Sequence, residues 1–95
     1  MRETFTGLET RELPRLGTFV KAAELGSFTA TAAELGMTQA AVSQRIALLE
    51  KELSVSLFNR RSGRMALTEA GQQLYEYARK ILDLHGQARE ALATI

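Results

Sequence analysis

The chain contains no cysteine, so neither a disulfide framework nor a thiolate metal site can staple the fold, and a reducing cytoplasm is the expected setting. Histidine occurs once, at His85, in an isolated polar slot with no paired carboxylates around it. Glu50 and Glu52 lie two apart on a helix and so do not share a face. Nothing here assembles an active site, and neither an enzyme nor a metal or cofactor is expected. The first thirty residues hold no apolar run behind a basic start, and no apolar run approaches the ~20 residues needed to cross a bilayer. Neither a secretory signal nor a membrane partner is therefore expected. With 95 residues there is room for one small domain and a modest core, so extra stability should come from a partner.

A strong charge of either sign is also missing, since the net charge is only +1. That balance hides a segregation. Residues 1–36 carry four Lys/Arg against five Asp/Glu, and residues 65–95 carry three against four. Between them, Arg45, Lys51, Arg60, Arg61 and Arg64 oppose only Glu50 and Glu52, and residues 57–64 hold three arginines and no acid. A local basic patch of this kind is what a nucleic-acid partner would meet.

Residues 1–12 show no sustained apolar period and are expected to form a flexible leader. From Leu13 the spacing turns helical, with Leu16, Phe19, Val20 and Ala23 on one face, Pro14 in the first turn and Gly26 as a left-handed cap. Ser27 is placed to N-cap a short second helix with Phe28, Ala32 and Leu35 inward, closed by Gly36. Thr38 is the next N-cap, and a third helix carries Ala41, Val42, Ile46, Leu49 and Leu53 on its inner stripe. Gln39, Ser43 and Gln44 are left outside, with Arg45 toward the flank. Val55, Leu57 and Met65-Ala66-Leu67 then flank a Ser62-Gly63 turn, which reads as a small hairpin. Thr68 caps a last helix that nothing after Gly71 firmly stops. Its apolar residues recur in two seven-residue series, Leu74, Ile81, Ala88 and Ile95, and Tyr77, Leu84 and Ala91, the a/d pattern of a helix that pairs with another.

The expected architecture is mainly α: a winged helix-turn-helix over residues 13–67, with a three-helix core and a two-stranded wing, followed by a long dimerisation helix over 68–95. Any three-helix core can mimic the helix-turn-helix pattern, so the outward face of the third helix decides. Gln39, Ser43 and Gln44 are hydrogen-bonding groups, and glutamine suits a bidentate contact with adenine. An ordinary solvated face carries more Lys and Glu. Arg60, Arg61 and Arg64 read either as a charged edge that discourages aggregation or as groups for the DNA backbone and minor groove. The rival function is a winged-helix module for protein contact and dimerisation, and salt-sensitive binding to duplex DNA separates the two.

In order and spacing, Phe19-Val20, Gly26-Ser27-Phe28-Thr29, Ala32, Leu35, Thr38-Gln39, Val42-Ser43, Ile46, Leu49-Glu50, Leu53, Leu57-Phe58, Arg60 and Leu67-Thr68-Glu69-Ala70-Gly71 form a signature that resembles the N-terminal region of the LysR-type transcriptional regulators. The resemblance covers about residues 13 to 85. It implies a winged helix-turn-helix, a linker helix that pairs two copies antiparallel, and binding to partly palindromic promoter sites in double-stranded DNA. It implies contacts at Thr38, Gln39, Ser43 and Gln44, with Ala40 and Arg45 beside them, Ser27 and Thr29 near the backbone, and Arg60, Arg61 and Arg64 in the wing. The dimer interface would fall on Leu74, Tyr77, Ile81, Leu84 and Ala88.

Four departures from the family pattern stand out. Ala40 replaces a common proline, Ala30 a common basic residue and Gly63 a common arginine, while Gln44-Arg45 reverses a frequent order. The effector-binding domain of such regulators is missing from these residues, so the chain is expected to be an excised fragment or an unusually short member, with any effector acting through that missing domain.

Overall fold

Two glycines in the left-handed region, Gly26 at φ 65° and Gly36 at φ 66°, divide the first half of the chain into three helices. The structure, a computed structural model, describes residues 7–59 and 65–95, with side chains from residue 13 onward. The helices are α1 (Gly7–Leu25), α2 (Phe28–Leu35) and α3 (Gln39–Leu53), followed by strands β1 (Phe58–Asn59) and β2 (Ala66–Leu67) and by α4 (Glu69–Ala93). α1 therefore begins inside the stretch expected to be a leader, and Pro14 falls in its interior rather than in its first turn. The proline ring removes one backbone donor there. Its own carbonyl accepts a 3.0 Å hydrogen bond from the Thr18 hydroxyl one turn later.

The core is drawn from every described element except β2. Phe19, Val42, Ile46, Leu49, Leu57 and Ala78 are at most 1% exposed, with Leu16, Val20, Ala22, Phe28, Ala32 and Phe58 around them. Each fully buried large side chain among them contributes ~1.5–3 kcal/mol at the apolar-area rate. Phe58 stands edge-on to both Phe19 and Phe28, at centroid separations of 5.6 and 5.5 Å, so the root of the hairpin is anchored in the helical core. The inner stripes follow the sequence spacing except at their ends. Leu35 and Leu53, expected inward, are exposed because each is the last residue of its helix, where the core has run out. On α1, Ala22 is the alanine fully enclosed, and Ala23 packs at the margin.

β1 and β2 pair antiparallel, Phe58 opposite Leu67 and Asn59 opposite Ala66, giving the two-stranded wing of a winged helix-turn-helix. Backbone and side chains lock its root. Glu50 Oε2 accepts from the Leu57 N–H at 2.8 Å, the Thr68 N–H donates to the Leu57 carbonyl at 3.0 Å, and the Thr68 hydroxyl donates to the Ser56 carbonyl at 2.6 Å. Thr68 Oγ1 also accepts from the Gly71 N–H at 3.0 Å, which starts α4. α4 passes through Gly86 without interruption for 25 residues, a length of about 37 Å. Its first half lies on α1, and its second half projects beyond the three-helix core.

Candidate nucleic-acid interface

The α2–α3 junction places the first turn of α3 at the surface. Gly36 and Met37 both direct their N–H groups to the Ala32 carbonyl, which closes α2, and the Thr38 hydroxyl accepts from the Ala41 N–H at 3.0 Å, which opens α3. Ser27 does the same for α2, accepting from the Ala30 N–H at 3.0 Å. In each cap the hydroxyl oxygen is an acceptor for its helix and retains its own proton for an outside acceptor. Thr29 is exposed beside Ser27. Two helix N-termini with free hydroxyl donors are suited to phosphate oxygens.

α3 separates two chemistries around its circumference. Val42, Ile46 and Leu49 are buried against α1 and α2. Gln39 and Gln44 are exposed, as the spacing predicts, whereas Ser43, expected outside with them, is half-buried; Ala40, Ala47 and Lys51 are also exposed. Because the cap and the inner stripe both fix the helix, these side chains project from a rigid platform rather than a loop.

Arg45 lies on the flank of α3 that faces α1. It is half-buried and turned to α1, where its Nη1 donates to Thr18 Oγ1 at 3.0 Å. It lines a groove of about 680 Å³ between α1 and α3 together with Arg15, Met37, Ala41, Gln44 and Leu48. Across the same flank Arg15 Nη1 lies 3.1 Å from Glu52 Oε2, a charge contact rather than an aligned hydrogen bond. Nothing in the spacing of the chain pointed to Thr18 as Arg45's partner, because 27 residues separate them. Arg60, Arg61 and Arg64 lie outside the described residues.

The expected pairing stripe on α4 is split by the fold. Leu74 packs against the domain's own core, whereas Tyr77 and Leu84 are each 64% exposed, Ile81 is 41% exposed and Ala88 is exposed. What holds α4 to α1 was not legible in the apolar pattern. Glu24 Oε2 accepts both the Tyr75 hydroxyl at 3.0 Å and Arg79 Nη1 at 2.7 Å, and Arg79 also approaches Asp83. The Tyr75 hydroxyl, aided by Arg79, holds the Glu24 carboxyl below its ordinary value against an opposing effect of burial. Among the described residues no group of three or more His, Cys, Asp or Glu is placed to hold a metal ion, and no helix is long and apolar enough to cross a membrane.

Known proteins share this arrangement. The family described as "Bacterial regulatory helix-turn-helix protein, lysR family" matches residues 13–72. The HTH-type transcriptional regulator DmlR of Escherichia coli is 42% identical over 80 residues, which are 84% of this chain and 26% of that protein. An uncharacterized HTH-type transcriptional regulator from the ibpB-leuC intergenic region of Azotobacter vinelandii is 44% identical over 81 residues, 85% of this chain and 56% of that protein. The chain thus spans about a quarter of DmlR. Among solved structures, the BenM_DBD/catB site 1 DNA complex superposes with a TM-score of 0.84 at 35% identity, covering 87% of this chain and 92% of that one. CbnR, a LysR family transcriptional regulator, superposes with a TM-score of 0.80 at 32% identity, covering 85% of this chain and 28% of that one.

Proposed function

The chain belongs to the lysR family of bacterial regulatory helix-turn-helix proteins, and from that premise we propose that it binds double-stranded DNA sequence-specifically at promoter operators in the cytoplasm and so regulates transcription. The observation that carries the reading is the exposed first half of α3, with Gln39, Ser43 and Gln44 held on a rigid core by the Thr38 cap. Its likeness to a domain solved in complex with DNA supports the same reading. Gln39, Ser43 and Gln44 contact base edges in the major groove, and the Ser27 and Thr38 hydroxyls, with Thr29, meet phosphates. Arg60, Arg61 and Arg64 of the wing supply charge to the backbone or minor groove. Two copies pair through Tyr77, Ile81, Leu84 and Ala88 of α4, which sets two recognition helices on one face of the duplex.

Selection of bound sequences from random duplex DNA tests the proposal, and an enriched two-fold site is the expected result. Gln39→Ala and Ser43→Ala should each weaken binding to that site by ~1–3 kcal/mol and leave binding to random DNA nearly unchanged, because base contacts specify and phosphate contacts position. Arg61→Ala with Arg64→Ala should weaken both alike and flatten the salt dependence by about one unit per lost phosphate contact. Equal losses on operator and random DNA for the α3 variants would remove the recognition role of that helix.

A further inference from the structure

Two carboxylates, Glu50 and Glu52, lie in the last turn of α3, where the helix's own carbonyls make a negative end and an acid is locally disfavoured. Glu52 faces Arg15 on α1. Glu50 crosses instead to the wing root, where its Oε2 accepts from the Leu57 N–H at 2.8 Å, seven residues along the chain. Between the two the backbone reverses through Ser54, which sits in the left-handed region at φ 59° although its Cβ disfavours it. The Val55 N–H on the Glu50 carbonyl, at 3.2 Å, closes the same reversal. Glu50 thus holds the turn twice, once with its backbone and once with its side chain.

Leu57 has its remaining groups committed elsewhere. Its carbonyl accepts the Thr68 N–H at 3.0 Å, Thr68 in turn caps α4 through the Gly71 N–H, and its side chain is fully buried. The residue is therefore pinned by α3 on one side and by α4 on the other, and β1 starts at the next position, with Arg60 directly after it in the chain. Groups that contact a partner need a support that fixes them. We propose, resting on the DNA-binding reading above, that Glu50 is a positioning residue for the wing: its carboxylate on the Leu57 N–H sets the wing root against the recognition helix, so that α3 and the wing arginines meet one duplex together. On charge alone a carboxylate is a poor choice on a domain that is to approach phosphates, and its removal should strengthen DNA binding. A positioning role demands the opposite sign.

The test compares three substitutions on the selected site and on random duplex DNA, with helical circular dichroism confirming the fold. Glu50→Gln removes the charge and keeps an oxygen at the same reach. Glu50→Asp keeps the charge and is one methylene too short for the Leu57 N–H, and Glu50→Ala lacks both. Glu50→Gln should retain the wild-type salt slope. Glu50→Asp and Glu50→Ala should weaken binding and flatten the slope as Arg61→Ala with Arg64→Ala does, by about one unit per lost phosphate contact, although every arginine is still present. In a double-mutant cycle, adding Arg61→Ala and Arg64→Ala to Glu50→Asp should change affinity by no more than about twofold, whereas Gln39→Ala should still separate operator from random DNA. The Gln and Asp variants carry the comparison by themselves should Glu50→Ala not fold. Affinities that follow charge, with Glu50→Gln and Glu50→Ala tighter than the wild type and Glu50→Asp equal to it, overturn the inference while leaving DNA binding intact. An undiminished effect of the wing arginines in Glu50→Asp does the same. Failure of the wild type to bind duplex DNA in a salt-dependent way overturns the reading beneath it instead.

Discussion

The two halves of α4 carry the same apolar repeat and meet different surroundings. In the first half Gly71 and Ala78 are buried, Leu74, Tyr75 and Leu82 pack on the core, and Glu24 gathers Tyr75 and Arg79. In the second half every residue from Asp83 to Ala93 is exposed. The repeat shows which face is apolar and is silent on what covers it. One chain covers the first half with its own α1. The second half, with Ile81 and Tyr77 at the boundary, is left with an apolar stripe on an element longer than its domain, and a stripe of that kind is covered most economically by a second copy.

The largest expected effect comes from breaking the second half. In a two-fold interface each side chain is met twice, so Ile81→Asp places two carboxylates where apolar surface should close. A loss of roughly 2 kcal/mol per copy corresponds to about a thousandfold in the dimer dissociation constant. Sedimentation of the wild type at tens of micromolar should give a dimer, and the variant should give a folded monomer with unchanged helical circular dichroism. A monomeric wild type, or a variant that remains dimeric, would remove the pairing role from α4.

Breaking the first half should act on folding instead. A Cβ built on Gly71 collides with the Leu57 carbonyl oxygen and comes within 3.0 Å of Leu67 Cδ2, so α4 and the wing root touch with only a glycine between them. The backbone oxygen cannot swing aside as a flexible side chain would, and it already accepts the Thr68 N–H. Gly71→Ala should therefore destabilise the domain by ~1–3 kcal/mol, the usual range for overpacking a filled site. Urea unfolding measures the change, and dimers of the folded fraction should persist. An unchanged midpoint would show that the wing root moves freely.

These contrasts also mark what the sequence could tell. The caps at Ser27, Thr38 and Thr68, the left-handed glycines and the inner stripe of α3 were legible because each depends on residues within one or two turns. The small hairpin was legible for the same reason. The start of α1 at Gly7 was not, because its first turns carry no apolar period. The hydrogen bond from Arg45 to Thr18 was not legible either, because its acceptor sits on another helix, and a seven-residue repeat does not distinguish one's own core, where Leu74 packs, from another chain's. The Glu24, Tyr75 and Arg79 cluster joins groups 51 and 55 residues apart, beyond the reach of any local pattern.

That cluster supports the smallest prediction, and it tests whether the first half of α4 is held by polar contacts as well as by Ala78. The Glu24 side chain retains 32% of its exposure and that of Arg79 retains 47%, so water screens the pair and its contribution should be small. Because the hydroxyl of Tyr75, assisted by Arg79, lowers the carboxyl below its ordinary value of 4.5, the charged form is the one favoured by folding. The stabilisation is therefore complete above about pH 4.5 and is lost as the pH falls through the lowered value. Glu24→Gln should be less stable than the wild type at pH 7, and the gap should narrow as the pH drops through the acid range. Other carboxylates titrate in both proteins and cancel in the comparison. High salt should narrow the gap as well, since the Arg79 contribution is screened while the Tyr75 hydrogen bond is not. A gap that stays constant from pH 7 to pH 3 would mean that the carboxylate charge does not hold α4 to α1. Dimerisation through the second half should be unaltered in Glu24→Gln, because no residue of that cluster lies on the exposed stripe of Tyr77, Ile81 and Leu84.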